Sequence, residues 1–282
     1  MRKQRRGTPH AAAKRMAGSL AALAALATLT GTPALAQDKS MDEIAKYREM
    51  LADGNPAELI EMRGEELWKT PRGPKNVSLE QCDLGLGPGK VEGAYAQLPR
   101  YFADAGKVMD VEARLVYCMQ TQQGFSFAEA TKNWYSKPGK ESDLVALVTW
   151  VGAQSNGQKI NVPVKHPKEA EMVKMGEYIF HRRSGPQDFG CSVCHGQDGV
   201  RIRLQDLDNL SQSKGAQKAM RTWPAYRVSQ GTVWTMQRRL IDCMRQARWP
   251  EQKFPSDAVI ALEMYLQNKA AGGVLESPGI KR

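Results

Sequence analysis

Cys191-Ser192-Val193-Cys194-His195 is the stretch on which the reading of this chain turns. Two cysteines two residues apart, followed at once by histidine, form the attachment signature of a c-type haem. The spacing follows from the chemistry: two thiols add to the two vinyl groups of one porphyrin, and the adjacent imidazole swings beneath to bind the iron. The competing reading is a redox or zinc Cys-x-x-Cys beside an incidental histidine. It needs further ligands, and the sequence offers no second Cys-x-x-Cys and no nearby Cys/His pair. One covalent haem c is therefore expected, attached through Cys191 and Cys194 with His195 as proximal ligand, and neither zinc nor a nucleotide.

Outward from the motif, the N-terminus sets the compartment. Arg2, Lys3, Arg5, Arg6, Lys14 and Arg15 precede an apolar run from Ala17 to Leu29 and then Ala34-Leu35-Ala36, with no acidic residue among them. That is the order of a secretory signal peptide, expected to span residues 1–36, and the apolar run is too short for a membrane span. The mature chain is expected to be soluble and periplasmic. Six of the 40 basic residues lie in this leader, so the formal charge of +10 falls to about +4 on processing, before haem propionates lower it further. Neither nucleic acid nor a membrane is an expected partner.

The chemistry sits in a mostly helical pattern. Helices are expected from Ser40 to Leu51, opened by a capping box, and from Pro56 to Lys69. Thr70 to Leu98 is rich in Gly and Pro and reads as loop. Helical spacing returns from Gly106 to Gln122 through Val108, Val111, Leu115 and Cys118. Ser126 caps a short helix, and Ser142 to Gln154 is an apolar one. After a linker with Pro163 and Pro167, helices are expected at Pro167–Arg183, Thr232–Ala247 and Ser256–Ala270. No two-residue alternation stands out, so the fold class is mostly α.

An internal repeat organises these helices. Gly64-Glu65-Glu66-Leu67-Trp68 with Arg72-Gly73-Pro74 matches Gly176-Glu177-Tyr178-Ile179-Phe180 with Ser184-Gly185-Pro186 without a gap. Arg114-Leu115-Val116-Tyr117-Cys118-Met119 matches Arg239-Leu240-Ile241-Asp242-Cys243-Met244. The repeat implies two cytochrome-c-like domains in tandem, residues 37–162 and 163–282. Only the second keeps a haem site, because Gly85 and Leu86 stand where a motif starting at Cys82 would need its second cysteine and histidine. Cys82 and Cys118 then flank an emptied pocket, either as a disulfide or as two free buried thiols. A bond between them would close a long loop and contribute about 3 to 4 kcal/mol in the chain-entropy account.

The haem needs a distal ligand. Met220, Met236, Met244 and Met264 are on offer, as in simple electron carriers. The repeat points instead to Cys243, which holds the place of Cys118 but in the haem-bearing half and without a partner. Arg239 lies four residues earlier, on the same helical face, where a guanidinium lowers a thiol pKa and grips an oxyanion. Arg238, Arg245 and Arg248 add positive charge around this helix. His166 and His181 read as structural or surface groups, Phe180 and Tyr265 as core, and Trp223-Pro224-Ala225-Tyr226 as either the haem edge or a loop anchor.

Taken together, the two-domain plan, the haem motif and Arg239-Leu240-Ile241-Asp242-Cys243-Met244-Arg245 closely resemble the SoxA subunits of the SoxAX cytochromes of bacterial sulfur oxidation, in their single-haem form. The resemblance covers the mature chain. It implies His195 and Cys243 as axial ligands, Cys243 as the catalytic residue found as a persulfide, Arg239 as the substrate-binding arginine, and a Cys82–Cys118 disulfide. The activity implied is an L-cysteine S-thiosulfotransferase that joins thiosulfate oxidatively to a cysteine of the carrier SoxYZ. Two electrons leave through haem and the partner subunit SoxX to a c-type cytochrome. A plain periplasmic electron-transfer cytochrome c is the alternative.

Overall fold

Two helix crossings of the same design build the core of the computed structural model. Its described residues are 54–202 and 205–282, with the isolated positions Asp42, Lys46 and Glu49. The expected leader lies outside the described residues, as does most of the helix expected from Ser40, although the backbone is helical at those three positions. In the first crossing, α1 (Ala57–Lys69) packs on α4 (Asp143–Ala153). In the second, α5 (Pro167–His181) packs on α9 (Asp257–Lys269).

A glycine sits at each crossing point. A Cβ on Gly64 would overlap the carbonyl oxygen of Ala146 and come within 2.7 Å of the Trp150 Cβ. One on Gly176 would overlap the carbonyl oxygen of Ala261 and come within 2.7 Å of the Tyr265 Cβ. Only glycine lets the backbones meet this closely. One turn further on, Trp68 meets Trp150 with ring centroids 5.3 Å apart, and Phe180 meets Tyr265 at 5.4 Å. The matched sequence blocks are thus matched packing units, and Phe180 and Tyr265 are core.

Each half places a short hairpin before the helix that carries its later cysteine. β1 (Arg100–Phe102) pairs antiparallel with β2 (Lys107–Met109) and leads into α2 (Val111–Thr121). In the second half β5 (Ala225–Arg227) pairs with β6 (Thr232–Trp234) and leads into α8 (Met236–Gln246). Both turns pass through a left-handed glycine, Gly106 at φ 64° and Gly231 at φ 61°. The registers correspond, with Phe102 opposite Lys107 and Arg227 opposite Thr232. The helices therefore begin later than Gly106 and Thr232, where helical spacing alone placed them. Three-residue strands are too short to display a two-residue period, and Asp110 and Thr235, which cap the helices through bonds from Ala113 N and Arg238 N, mark the true starts.

Between these units lie α3 (Phe127–Ala130), the single turn α6 (Cys191–His195), a small antiparallel pair β3 (Arg201–Ile202) and β4 (Gln205–Asp206), and α7 (Ser213–Met220), which periodicity did not announce. The chain closes with β7 (Gly279–Lys281) added parallel to β5. His166 caps α5 by accepting from Lys168 N at 3.2 Å, and its ring stacks on Tyr101 at 3.7 Å. Both its roles are structural. Trp223 is buried and Ala225 and Tyr226 lie in β5, so that stretch anchors the hairpin. The hydrophobic core runs continuously from Trp68 to Leu275 through both halves.

Candidate functional site

The haem motif occupies α6, a single helical turn entered from Gly190. Because residues three and four apart share a helix face, one turn puts the thiols of Cys191 and Cys194 and the His195 imidazole on adjoining positions. His195 Nδ1 lies 2.9 Å from the Asp208 carbonyl oxygen. A carbonyl only accepts, so Nδ1 carries the proton and Nε2 is left with its lone pair, the tautomer an axial imidazole requires. Burial pushes the His195 pKa down, which keeps the ring neutral.

Cys243 comes from α8 and acts electrostatically on both motif cysteines. Cys191, Cys194 and Cys243 are all free and half-buried. Burial pushes the Cys191 thiol up to about 12, with Cys243 the next contributor, and raises Cys194 by the same two causes in the same order. The three sulfurs thus lie within electrostatic reach of one another. Two cysteines, a ring nitrogen of fixed tautomer and a third sulfur from a separate helix form a donor set that suits a covalently attached haem. In contrast, Met220, Met236, Met244 and Met264 are all buried in the hydrophobic core.

Arg239 acts electrostatically on both the His195 imidazole and the Cys243 thiol. Its effect on Cys243 is to lower the pKa, as the helix spacing suggested, but burial is the larger cause and the net direction is upward. Arg239 is held loosely, with Nη1 3.8 Å from Asp242 Oδ2. Asp242 is occupied elsewhere, accepting from Arg245 Nη2 at 2.8 Å and from Gln246 Nε2 at 2.6 Å. Of the other arginines on this helix, Arg238 lies within 5.7 Å of three rings, those of Trp134, Tyr135 and Trp234. Arg245 is paired to Asp242. Arg227, on β5, is a further charge that lowers the Cys243 pKa. No local spacing in the sequence links Arg227 to Cys243, because its position is set by hairpin register.

The corresponding place in the first half is closed. Cys82 and Cys118 form a disulfide, with Cα atoms 5.8 Å apart, and both residues are buried. The loop after Cys82 is pinned by Asp83 Oδ1, which accepts from Gly85 N at 2.6 Å and Gly87 N at 2.9 Å. Arg100 Nη1 donates to the Gly85 carbonyl and Arg114 Nε to that of Asp83, each at 2.6 Å. A cavity of about 1210 Å³ opens beside this half, between Trp68, Leu86, Trp150 and Ile160. Neither the haem motif nor Cys243 lines it.

Comparison with known proteins places this geometry. The chain is 49% identical over 95% of its length to the L-cysteine S-thiosulfotransferase subunit SoxA of Hydrogenophilus thermoluteolus, all of which is covered. The chain belongs to the SoxA family. A SoxA of Hydrogenobacter thermophilus is 33% identical over 87% of the chain and 91% of its own length. The family model for the SoxA/TsdA cytochrome c domain matches residues 63–160, the first of the two repeated units. Among solved structures, the crystal structure of SoxXA from P. pantotrophus matches with a TM-score of 0.69 at 25% identity, covering 84% of each chain. This SoxA-family chain is therefore a mostly helical protein with a cytochrome c domain. Among its described residues no helix is long and apolar enough to cross a membrane.

Proposed function

We infer that this chain is the catalytic subunit of an L-cysteine S-thiosulfotransferase, with two cytochrome-c-like domains, residues 37–162 and 163–282, of which the second carries one covalent haem. The enzyme class rests on the SoxA relatives. The single-haem assignment is supported by the contrast between the halves: free Cys191 and Cys194 beside an imidazole in one, a disulfide and an arginine-pinned loop in the other.

Cys191 and Cys194 would hold the porphyrin, and His195 Nε2 and the Cys243 sulfur would bind the iron. When bound, the haem supplies an acceptor for electrons taken one at a time. The other roles fall to the protein. Arg239 offsets the charge of thiosulfate and orients it towards Cys243, the catalytic sulfur. Joining the outer thiosulfate sulfur to a carrier thiol forms one S–S bond and releases one proton and two electrons, which pass by way of SoxX to a c-type cytochrome. SoxYZ is the carrier, and the periplasm is the compartment that the leader and the disulfide suit.

One observation carries the reading: a free cysteine on α8 lies within electrostatic reach of the haem-motif sulfurs with an arginine four residues before it. The plain electron carrier would need one of four methionines that are all committed to the core. Replacing Cys243 by serine in the assembled heterodimer tests this. Thiosulfate-dependent reduction of cytochrome c, with the carrier present, should fall to background while haem content stays at one. Activity surviving in that variant would return the protein to the carrier class.

A further inference from the structure

The two halves share a hairpin and helix, and their side chains differ around the later cysteine. In the first half Arg114 is fully neutralised. Its guanidinium contacts Asp104 Oδ1 and Oδ2 at 2.9 and 2.8 Å, donates to the Asp83 carbonyl, and lies 4.1 Å from the Phe102 ring centroid. The side chain at the end of the first hairpin strand therefore lies over the arginine that stands four residues before the cysteine.

The second half repeats this backbone with different chemistry. Arg239 takes the place of Arg114, Arg227 that of Phe102, and Ser229 that of Asp104, at the same strand register and turn length. One carboxylate is removed and one guanidinium added. Arg227 is half-buried, with its guanidinium carbon 5.4 Å from the Trp234 ring centroid. It is among the charges that act on the Cys243 thiol, beside Arg239 and opposed by Asp242. Among the described residues, the carboxylate paired with Arg239 is that of Asp242, at 3.8 Å and shared with Arg245.

We propose that Arg227 is a second substrate-binding residue, which with Arg239 forms a two-guanidinium clamp that selects a doubly charged sulfur oxyanion over a singly charged one. This rests on the reading of Cys243 as the site of thiosulfate chemistry and extends it to specificity. Two forked cations from separate elements, a strand and a helix, suit the three oxygens of a sulfonate group in a way that one arginine does not. The hairpin fixes their spacing, so the discrimination is built into the fold.

The test is titration of the oxidised holo heterodimer, without carrier, with thiosulfate and with methanethiosulfonate, its singly charged analogue. In Arg227→Gln, thiosulfate binding should weaken about tenfold, the scale of one charged hydrogen-bonding partner. Methanethiosulfonate binding should change by less than about twofold, and Arg227→Lys should recover much of the thiosulfate affinity. The KM for thiosulfate should rise in step, with kcat little altered. If Arg227→Gln does not assemble with haem, Arg227→Met takes its place. Wild-type protein gives an independent reading, since added salt should weaken thiosulfate binding more steeply than methanethiosulfonate binding. Equal losses for the two anions, or none, would overturn the clamp and leave the Cys243 assignment standing. Failure of the wild-type complex to bind thiosulfate at all would remove that assignment, and the clamp with it.

Discussion

Cys243 is proposed to meet two demands on one sulfur, iron ligation and reaction with an anion. Burial raises its pKa while Arg239 and Arg227 lower it, so the thiolate depends on those cations and on the metal it would bind. A thiolate ligand favours ferric iron, and a thioether does not. Cys243→Met in the holo heterodimer should therefore raise the haem reduction potential by on the order of 0.1 V, a small part of the ~0.8 V range that axial ligands span. Potentiometric titration measures it, and an unchanged potential would mean that this sulfur does not reach the iron. At this scale the sequence was most legible where covalent chemistry fixes spacing. Cys191, Cys194 and His195 can be read from five letters, and Cys243 from its repeat. Arg227 could not be read in that way, because its position comes from register across a hairpin, and no local spacing connects it to a helix that begins nine residues later.

The elements owe their positions to a few side chains that permit close approach. Gly64 and Gly176 each leave room for a facing carbonyl oxygen, which no side chain can share. Gly64→Ala and Gly176→Ala should each cost about 2 to 4 kcal/mol, since the neighbour is backbone and cannot turn aside. Chemical denaturation of the two variants should give similar losses if the crossings are equivalent, and a negligible loss in either would contradict the packing described. The disulfide acts on the same half as Gly64. Replacing Cys82 and Cys118 together by serine should remove about 3 to 4 kcal/mol, because the bond ties residues 36 apart in sequence. Helices such as Asp143–Ala153 and Asp257–Lys269 were legible from their apolar content. The hairpins were not, because three residues carry too little pattern, and Ser213–Met220 was hidden by its polar composition.

Across the whole molecule the two halves meet through a reciprocal polar contact that periodicity gave no reason to expect. Asp110 and Thr235 are the equivalent helix caps, and Glu112 and Gln237 stand two residues beyond them. Gln237 Nε2 donates to Asp110 at 2.6 Å, and Thr235 Oγ1 donates to Glu112 at 2.8 Å, so each cap pairs with the other half's helix. Glu263 on α9 joins them, and all three carboxyl groups are buried. In sequence each reads as an ordinary helix charge, and only the tertiary contact encloses it. Burial raises the pKa of Asp110, Glu112 and Glu263, and mutual repulsion adds to it for Glu112 and Glu263. A carboxyl whose folded pKa lies above its unfolded value keeps its proton longer in the folded state, so stability is highest below the unfolded pKa and declines as pH rises towards the folded one. Denaturation midpoints should accordingly fall as pH rises above the ordinary carboxyl range. Glu263→Gln, which keeps the shape and discards the titration, should flatten that decline by at most about 1.4 kcal/mol per pH unit, the effect of one proton. A wild-type stability that is level or rises above that range, or a variant with a steeper decline, would mean that these carboxyl groups are not held neutral between the halves.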